Sequence, residues 1–198
     1  SAVILCHGYG GDGKDISILA NYWKAHLPET IFICPDAPEK CAASPTGYQW
    51  FDLIDQTPEQ VLSKSLVAES KLNKLIDEVK DKNNLLANQI IIGGFSQGCM
   101  ISLQTGVKRK DTINSIIGYS GRIIDTDHLR KNIVSKPNII LMHGDIDQIV
   151  PVNSLLEAKD FFNKNNYKIE SRIFDNCEHR IPTEGSSLGL QFIKKHLS

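Results

Sequence analysis

The sequence predicts an α/β fold: a mainly parallel β-sheet with helices on both faces and no large lid. Three observations predict it. Short runs rich in Ile and Val alternate along the chain with stretches of helical period. Each run is four to six residues long and rich in Ile or Val, as buried parallel strands tend to be. The chain has 198 residues, 41% hydrophobic and 23% charged, enough to bury a core of ordinary size.

The elements follow in order. A first strand is expected at Val3–Cys6 and a second at Ile31–Cys34, with a helix over Ile16–His26 between them. Residues 35–56 show no periodicity and are punctuated by Pro35, Pro38, Pro45 and Gly47. A loop of about 20 residues inside a compact domain is usually a binding loop or a disordered one. Trp50 and Phe51 near its end favour packing. The clearest helix runs from Glu59 to Lys82, with Leu62, Leu66, Leu72, Leu75, Ile76 and Val79 as its expected apolar stripe. Thr57 is its expected N-cap, Pro58 its first residue, and Gln60 completes a capping box. Further strands are expected at Gln89–Gly93, Ile113–Gly118, Asn138–Met142 and Ile169–Phe174, and helices at Ser96–Val107, Val152–Asn163 and Thr183–His196. No repeat, low-complexity tract or interdomain linker is visible, so one domain over 1–198 is expected.

Composition excludes several functions. No apolar run approaches the roughly 18 residues of a membrane span, so no stable membrane insertion is expected. The net charge of −1 argues against a nucleic-acid partner. Five cysteines without a C-x-x-C pair argue for a reducing, cytoplasmic setting rather than a disulfide framework.

Gly94-Phe95-Ser96-Gln97-Gly98 matches G-x-S-x-G, with an Ile-rich strand before it and a helical segment after it. That context is a nucleophile elbow, in which a strained serine projects at the positive end of a helix. The plain alternative is a strand-to-helix turn with a capping serine. A serine hydroxyl needs a base to take its proton and a carboxylate to orient that base. In this architecture the acid and then the histidine follow the serine. His179 follows the last strand in a polar turn, whereas His143 precedes the best acids, His128 lies among charges, and His196 reads as a solvated helix end. Asp145 and Asp147 compete as the acid; Asp147 is the expected one, with Asp145 the expected brace of the turn. A metal site from His143, Asp145 and Asp147 is the weaker alternative.

The loop His7-Gly8-Tyr9-Gly10-Gly11-Asp12-Gly13 follows the first strand. In a serine hydrolase it supplies one oxyanion donor, the Tyr9 N–H, with the Gln97 N–H as the second. Gly8, Gly10 and Gly13 also satisfy G-x-G-x-x-G, with Asp36 after the next strand, so a dinucleotide-binding protein is a rival. Against it, Asp12 sets a carboxylate where pyrophosphate would lie, and the serine elbow, Asp147 and His179 become coincidences.

These segments, with Pro35-Asp36-Ala37-Pro38, Trp50-Phe51-Asp52, Ser120-Gly121, His143 to Pro151 and Glu178-His179, resemble the carboxylesterase and acyl-protein thioesterase branch of the α/β-hydrolases. This is the phospholipase/carboxylesterase family, and the resemblance covers nearly the whole chain. It implies an α/β-hydrolase fold, with Ser96 as nucleophile, Asp147 as acid and His179 as base. It also implies an oxyanion hole from the Tyr9 and Gln97 amides, and no metal or organic cofactor. The implied substrate is a small ester or acyl thioester, an acylated protein or a lysophospholipid, and a homodimer is left open. Tyr9 stands where leucine is common and Glu178 where glycine is usual. Family members usually carry a further N-terminal strand or two, so either a sheet short at one edge or a trimmed sequence is expected. Tyr9 and Trp50 are candidate substrate contacts, with Trp50 equally able to fill the core. Without a lid, an open cleft for short or medium acyl chains is expected, shaped by Tyr9 and the 35–56 loop. A non-catalytic binding or scaffold protein on the same fold is the alternative. Ser120 and Cys99 read as structural, and Lys108-Arg109-Lys110 as a match to a helix's negative end.

Overall fold

A computed structural model describes residues 1–197. Six strands form one parallel sheet: β1 (Ala2–Cys6), β2 (Ile31–Ile33), β5 (Ile90–Phe95), β6 (Ser115–Tyr119), β7 (Asn138–Gly144) and β8 (Ile169–Phe174). Their order is β2-β1-β5-β6-β7-β8. Six helices cover it: α1 (Gly13–Lys24), α2 (Pro58–Lys82), α3 (Gln97–Gly106), α4 (Thr126–Asn132), α5 (Asn153–Lys164) and α6 (Thr183–His196). The fold class is the one expected.

Side chains alternate across the strands and so build two cores. Ile4, Ile92, Ile116 and Leu141 face α2, α3 and α5. Val3, Leu5, Ile91, Ile117 and Met142 face α1 and α6. Each fully buried Ile contributes about 1.5–3 kcal/mol. After β1 the chain crosses one way to β2; after β5 it crosses the other way to β6. The crevice at such a switch point is where ligands of open α/β sheets bind.

Several local details depart from expectation. The helix α1 begins earlier than Ile16 because Asp12 caps it, with Asp15 closing a capping box. The expected box at Thr57 and Gln60 is present on α2. The buried stripe of that helix, however, enters through Val61, Ser65, Ala68 and Glu69 rather than Leu62 and Leu66. Ser65 and Glu69 are buried because Gln104 of α3 hydrogen-bonds both, at 3.1 and 3.0 Å. Within 35–56 lies a small antiparallel hairpin of β3 (Glu39–Lys40) and β4 (Tyr48–Gln49). Lys108 and Arg109 do more than face a helix end. Lys108 pairs with Glu69 at 2.7 Å, and the buried Arg109 reaches Asp77 and Asp111 at 2.6 and 2.8 Å. His196 is half-buried rather than fully solvated, with its ring packed edge-on against Phe192 at 4.5 Å.

Ile76 is fully buried on α2, whereas Val67 of the same helix is 53% exposed. Ile76→Ala is expected to lower the unfolding free energy by about 2–5 kcal/mol. Val67→Ala is expected to stay within about 0.5 kcal/mol. Urea denaturation of both variants checks the contrast.

Candidate active site

Ser96 joins β5 to α3 with φ 54° and ψ −117°. This left-handed backbone is costly for a residue with a Cβ and persists only where its surroundings enforce it. A Cβ on Gly94 would lie 2.4 Å from the Cys6 carbonyl oxygen, and one on Gly98 would lie 2.0 Å from it. Bare glycines on both sides therefore let the elbow pack against β1. The Ser96 N–H donates to the Tyr119 carbonyl at 2.8 Å, which ties the turn to β6.

The turns after β7 and β8 bring two more side chains to this point. His179 Nε2 lies 3.0 Å from Ser96 Oγ, and His179 Nδ1 lies 2.6 Å from Asp147 Oδ2. The other oxygen of Asp147 accepts the N–H groups of Ile149 and Val150, each at 2.9 Å. Burial pushes the Asp147 carboxyl upward, but hydrogen bonds from His179 and the two amides outweigh it, and the group is held below the usual range. Such a line can pass a proton from hydroxyl to imidazole while a fixed carboxylate orients the ring. Asp145 accepts the Cys177 N–H at 3.1 Å and braces the turn. Among the described residues no three His, Cys, Asp or Glu side chains are grouped as metal ligands.

The two segments expected from sequence to carry amide donors are held by buried hydrogen bonds. Gln97 is the first residue of α3, so its N–H has no helical acceptor. Its fully buried side chain accepts from the Trp50 N–H at 2.8 Å and donates to the Phe51 carbonyl at 2.7 Å. Tyr9 precedes Gly10, whose N–H donates to the Tyr48 carbonyl at 2.9 Å. The 35–56 segment is thus clamped to the glycine-rich loop. His7 strengthens the clamp: its Nε2 accepts the Ala37 N–H at 2.9 Å, so Nδ1 carries the proton and donates to the Gly8 carbonyl at 2.7 Å. Trp50 is buried, with Nε1 donating to the His7 carbonyl at 3.1 Å; the structure places it in the core. Sequence reasoning missed these roles of His7 and the Gln97 side chain, which only the register of distant loops reveals. The amides that a pyrophosphate would need are already engaged, with Asp12 capping α1 and Asp36 accepting the Gly13 N–H at 2.9 Å.

Cys99 lies one turn beyond Ser96, where burial pushes its thiol up to about 12 and removes it as a competing nucleophile. Glu178 is exposed and makes no ion pair among the described residues. Beside His179 the surface sinks into a cavity of about 610 Å³, walled by α1, Tyr9, Phe95 and residues 180–186. The 35–56 loop contributes nothing to that wall.

A model of the family described as phospholipase/carboxylesterase matches residues 1–198. Acyl-protein thioesterase 1 of Saccharomyces cerevisiae is 32% identical over 213 aligned residues, covering 99% of this chain and 92% of that protein. The crystal structure of esterase PE8 is 33% identical, with a TM-score of 0.94, and the match covers 100% of this chain and 93% of that one. Arabidopsis thaliana SOBER1, at 21% identity and a TM-score of 0.88 over 100% of this chain and 99% of its own, shares the fold.

Behind Asp147, His143 Nε2 donates to the Val150 carbonyl at 2.8 Å. Burial lowers its pKa and wins over that bond and over Asp147, 3.4 Å away, both of which favour the imidazolium. The native state then binds fewer protons here than the unfolded chain, whose histidine titrates near 6.5. Stability contributed by neutral His143 is present above about pH 6.5 and is lost as pH falls below it. Denaturant titrations at pH 7.5 and 5.5 are expected to show this loss, and His143→Gln is expected to shrink it.

Proposed function

The chain belongs to the phospholipase/carboxylesterase family and is a hydrolase of esters or thioesters, and from that premise we propose that it works through an acyl-Ser96 intermediate. The observation that carries this reading is the unbroken line from Ser96 Oγ through His179 to Asp147, at 3.0 and 2.6 Å. Ser96 Oγ attacks the carbonyl carbon while His179 Nε2 takes its proton. The bond to the leaving oxygen or sulfur then breaks, and that atom receives the same proton. Water repeats the cycle: it gives a proton to His179, its oxygen bonds to the acyl carbon, and Ser96 leaves reprotonated. Asp147 holds the tautomer with the proton on Nδ1. The N–H groups of Tyr9 and Gln97 stabilise the oxyanion that develops only in the tetrahedral state.

In this proposal residues 1–198 act as one domain. The sheet carries no large lid, and the open cleft this leaves favours short or medium acyl chains. Five free thiols fit a reducing compartment such as the cytoplasm. No helix among the described residues is long and apolar enough to cross a membrane.

A fluorophosphonate probe is expected to label the protein stoichiometrically and to fail on Ser96→Ala; folded protein that does not label at all supports a non-catalytic scaffold instead. Asp147→Asn is expected to lower kcat by roughly 10³–10⁴-fold through loss of the tautomer lock. In a graded series of acyl esters and thioesters, long chains far exceeding short ones contradict the acyl-length assignment.

A further inference from the structure

Resting on the proposed Ser96 reaction, we infer that the cavity between α1 and residues 180–186 is the leaving-group site, and that the preferred substrates are esters or thioesters of a bulky, apolar alcohol or thiol. The chemistry sets the direction. When the acyl–oxygen or acyl–sulfur bond breaks, the leaving atom takes the proton carried on His179 Nε2. It must then lie within about 2.6–3.2 Å of that nitrogen. Whatever is attached to it extends past the imidazole. The cavity lies on that side, with His179 and Tyr9 in its wall, while Ser96 and Gln97 are not in it. The acyl group is bonded to Ser96, which is not part of that wall.

The wall indicates what fits. Ile18 and Tyr22 lie one turn apart on α1 and are 73% and 46% exposed, although both are large and apolar. Ile181 and Pro182 face them, and Phe95 lies behind, with its ring 4.7 Å from the His179 ring. An Ile this exposed contributes nothing to the core; beside a reacting histidine it offers area to a ligand. The carboxylate in the wall, Asp15, already accepts the Asp12 N–H at 3.1 Å within the capping box of α1. The guanidinium of Arg180 stands exposed at the edge. A volume of about 610 Å³ is far more than methanol needs and lies in the range of small-molecule sites, roughly 300–1,000 Å³. Recognition there is by apolar area.

The test holds the acyl group constant as acetyl and varies the alcohol among alkyl esters of similar leaving-group acidity: methyl, hexyl and 2-(2-naphthyl)ethyl acetate. The proposal expects kcat/KM to rise along that series by at least about tenfold. Ile18→Asp places a charge at an exposed position that folding does not need, and circular dichroism checks that it folds. It is expected to cut the naphthylethyl-to-methyl ratio by about tenfold or more, through acylation of Ser96 rather than hydrolysis of the shared acetyl-enzyme. Tyr22→Ala should move the ratio the same way, and Val67→Asp, on α2, should not move it. A flat alcohol series overturns the inference. So does an Ile18→Asp variant that alters preference along a series of methyl esters of growing acyl length. An acetyl-enzyme on Ser96 with a flat alcohol series removes only the leaving-group assignment, whereas activity surviving Ser96→Ala removes the reaction beneath it.

Discussion

The site depends on one backbone constraint, the reversal of the chain at Ser96 with a positive φ of 54°. A strand running into a helix through one residue leaves that residue's side chain standing clear of both. The geometry is reached only because β1 comes so close that Gly94 and Gly98 have no room for a Cβ beside the Cys6 carbonyl. The parallel sheet thus aims the serine, and the sheet order sets β1 and β5 side by side at the switch point where their following loops diverge. The glycine-rich loop follows β1 and Gln97 follows the elbow after β5, so both leave the sheet at the same edge.

Around that elbow the buried polar groups are satisfied in a way that fixes their roles. His7 and Gln97 are buried and spend their side-chain hydrogen bonds on backbone groups of residues 8, 37, 50 and 51. They position two loops. His179 is the histidine at the centre whose two ring nitrogens meet a hydroxyl and a carboxylate. Asp147 spends one oxygen on the amides of its own turn and the other on the His179 ring. Burial keeps His143 neutral next to it, so no second positive charge competes for that carboxylate.

Much of this was legible in the sequence, for physical reasons. The four central strands are buried on both faces, so their Ile-rich runs stand out, and all six expected strands are present. The capping box at Thr57 and Gln60 was readable because its bonds span three residues. Interactions that depend on remote partners were not readable. Ser65 and Glu69 are inside because Gln104 meets them across α3, which moves the buried stripe of α2 off Leu66. The short β3–β4 hairpin and α4 carry too few residues for a periodic signal. Trp50 could have faced pocket or core by sequence, and the register of its loop against His7 places it in the core. The α1 face of the cavity was invisible too, since an exposed Ile in a helix carries no functional mark until the imidazole is found beside it.

The central claim is that an acyl group passes through Ser96. Rapid quenching during turnover of 4-nitrophenyl acetate, followed by peptide mass spectrometry, tests it most directly. The account predicts a transient acetyl adduct on the peptide that carries Ser96, accumulating further when Asp147→Asn or low pH slows its hydrolysis. Steady release of nitrophenol with no adduct on that serine, or with the acetyl group on another side chain, contradicts it.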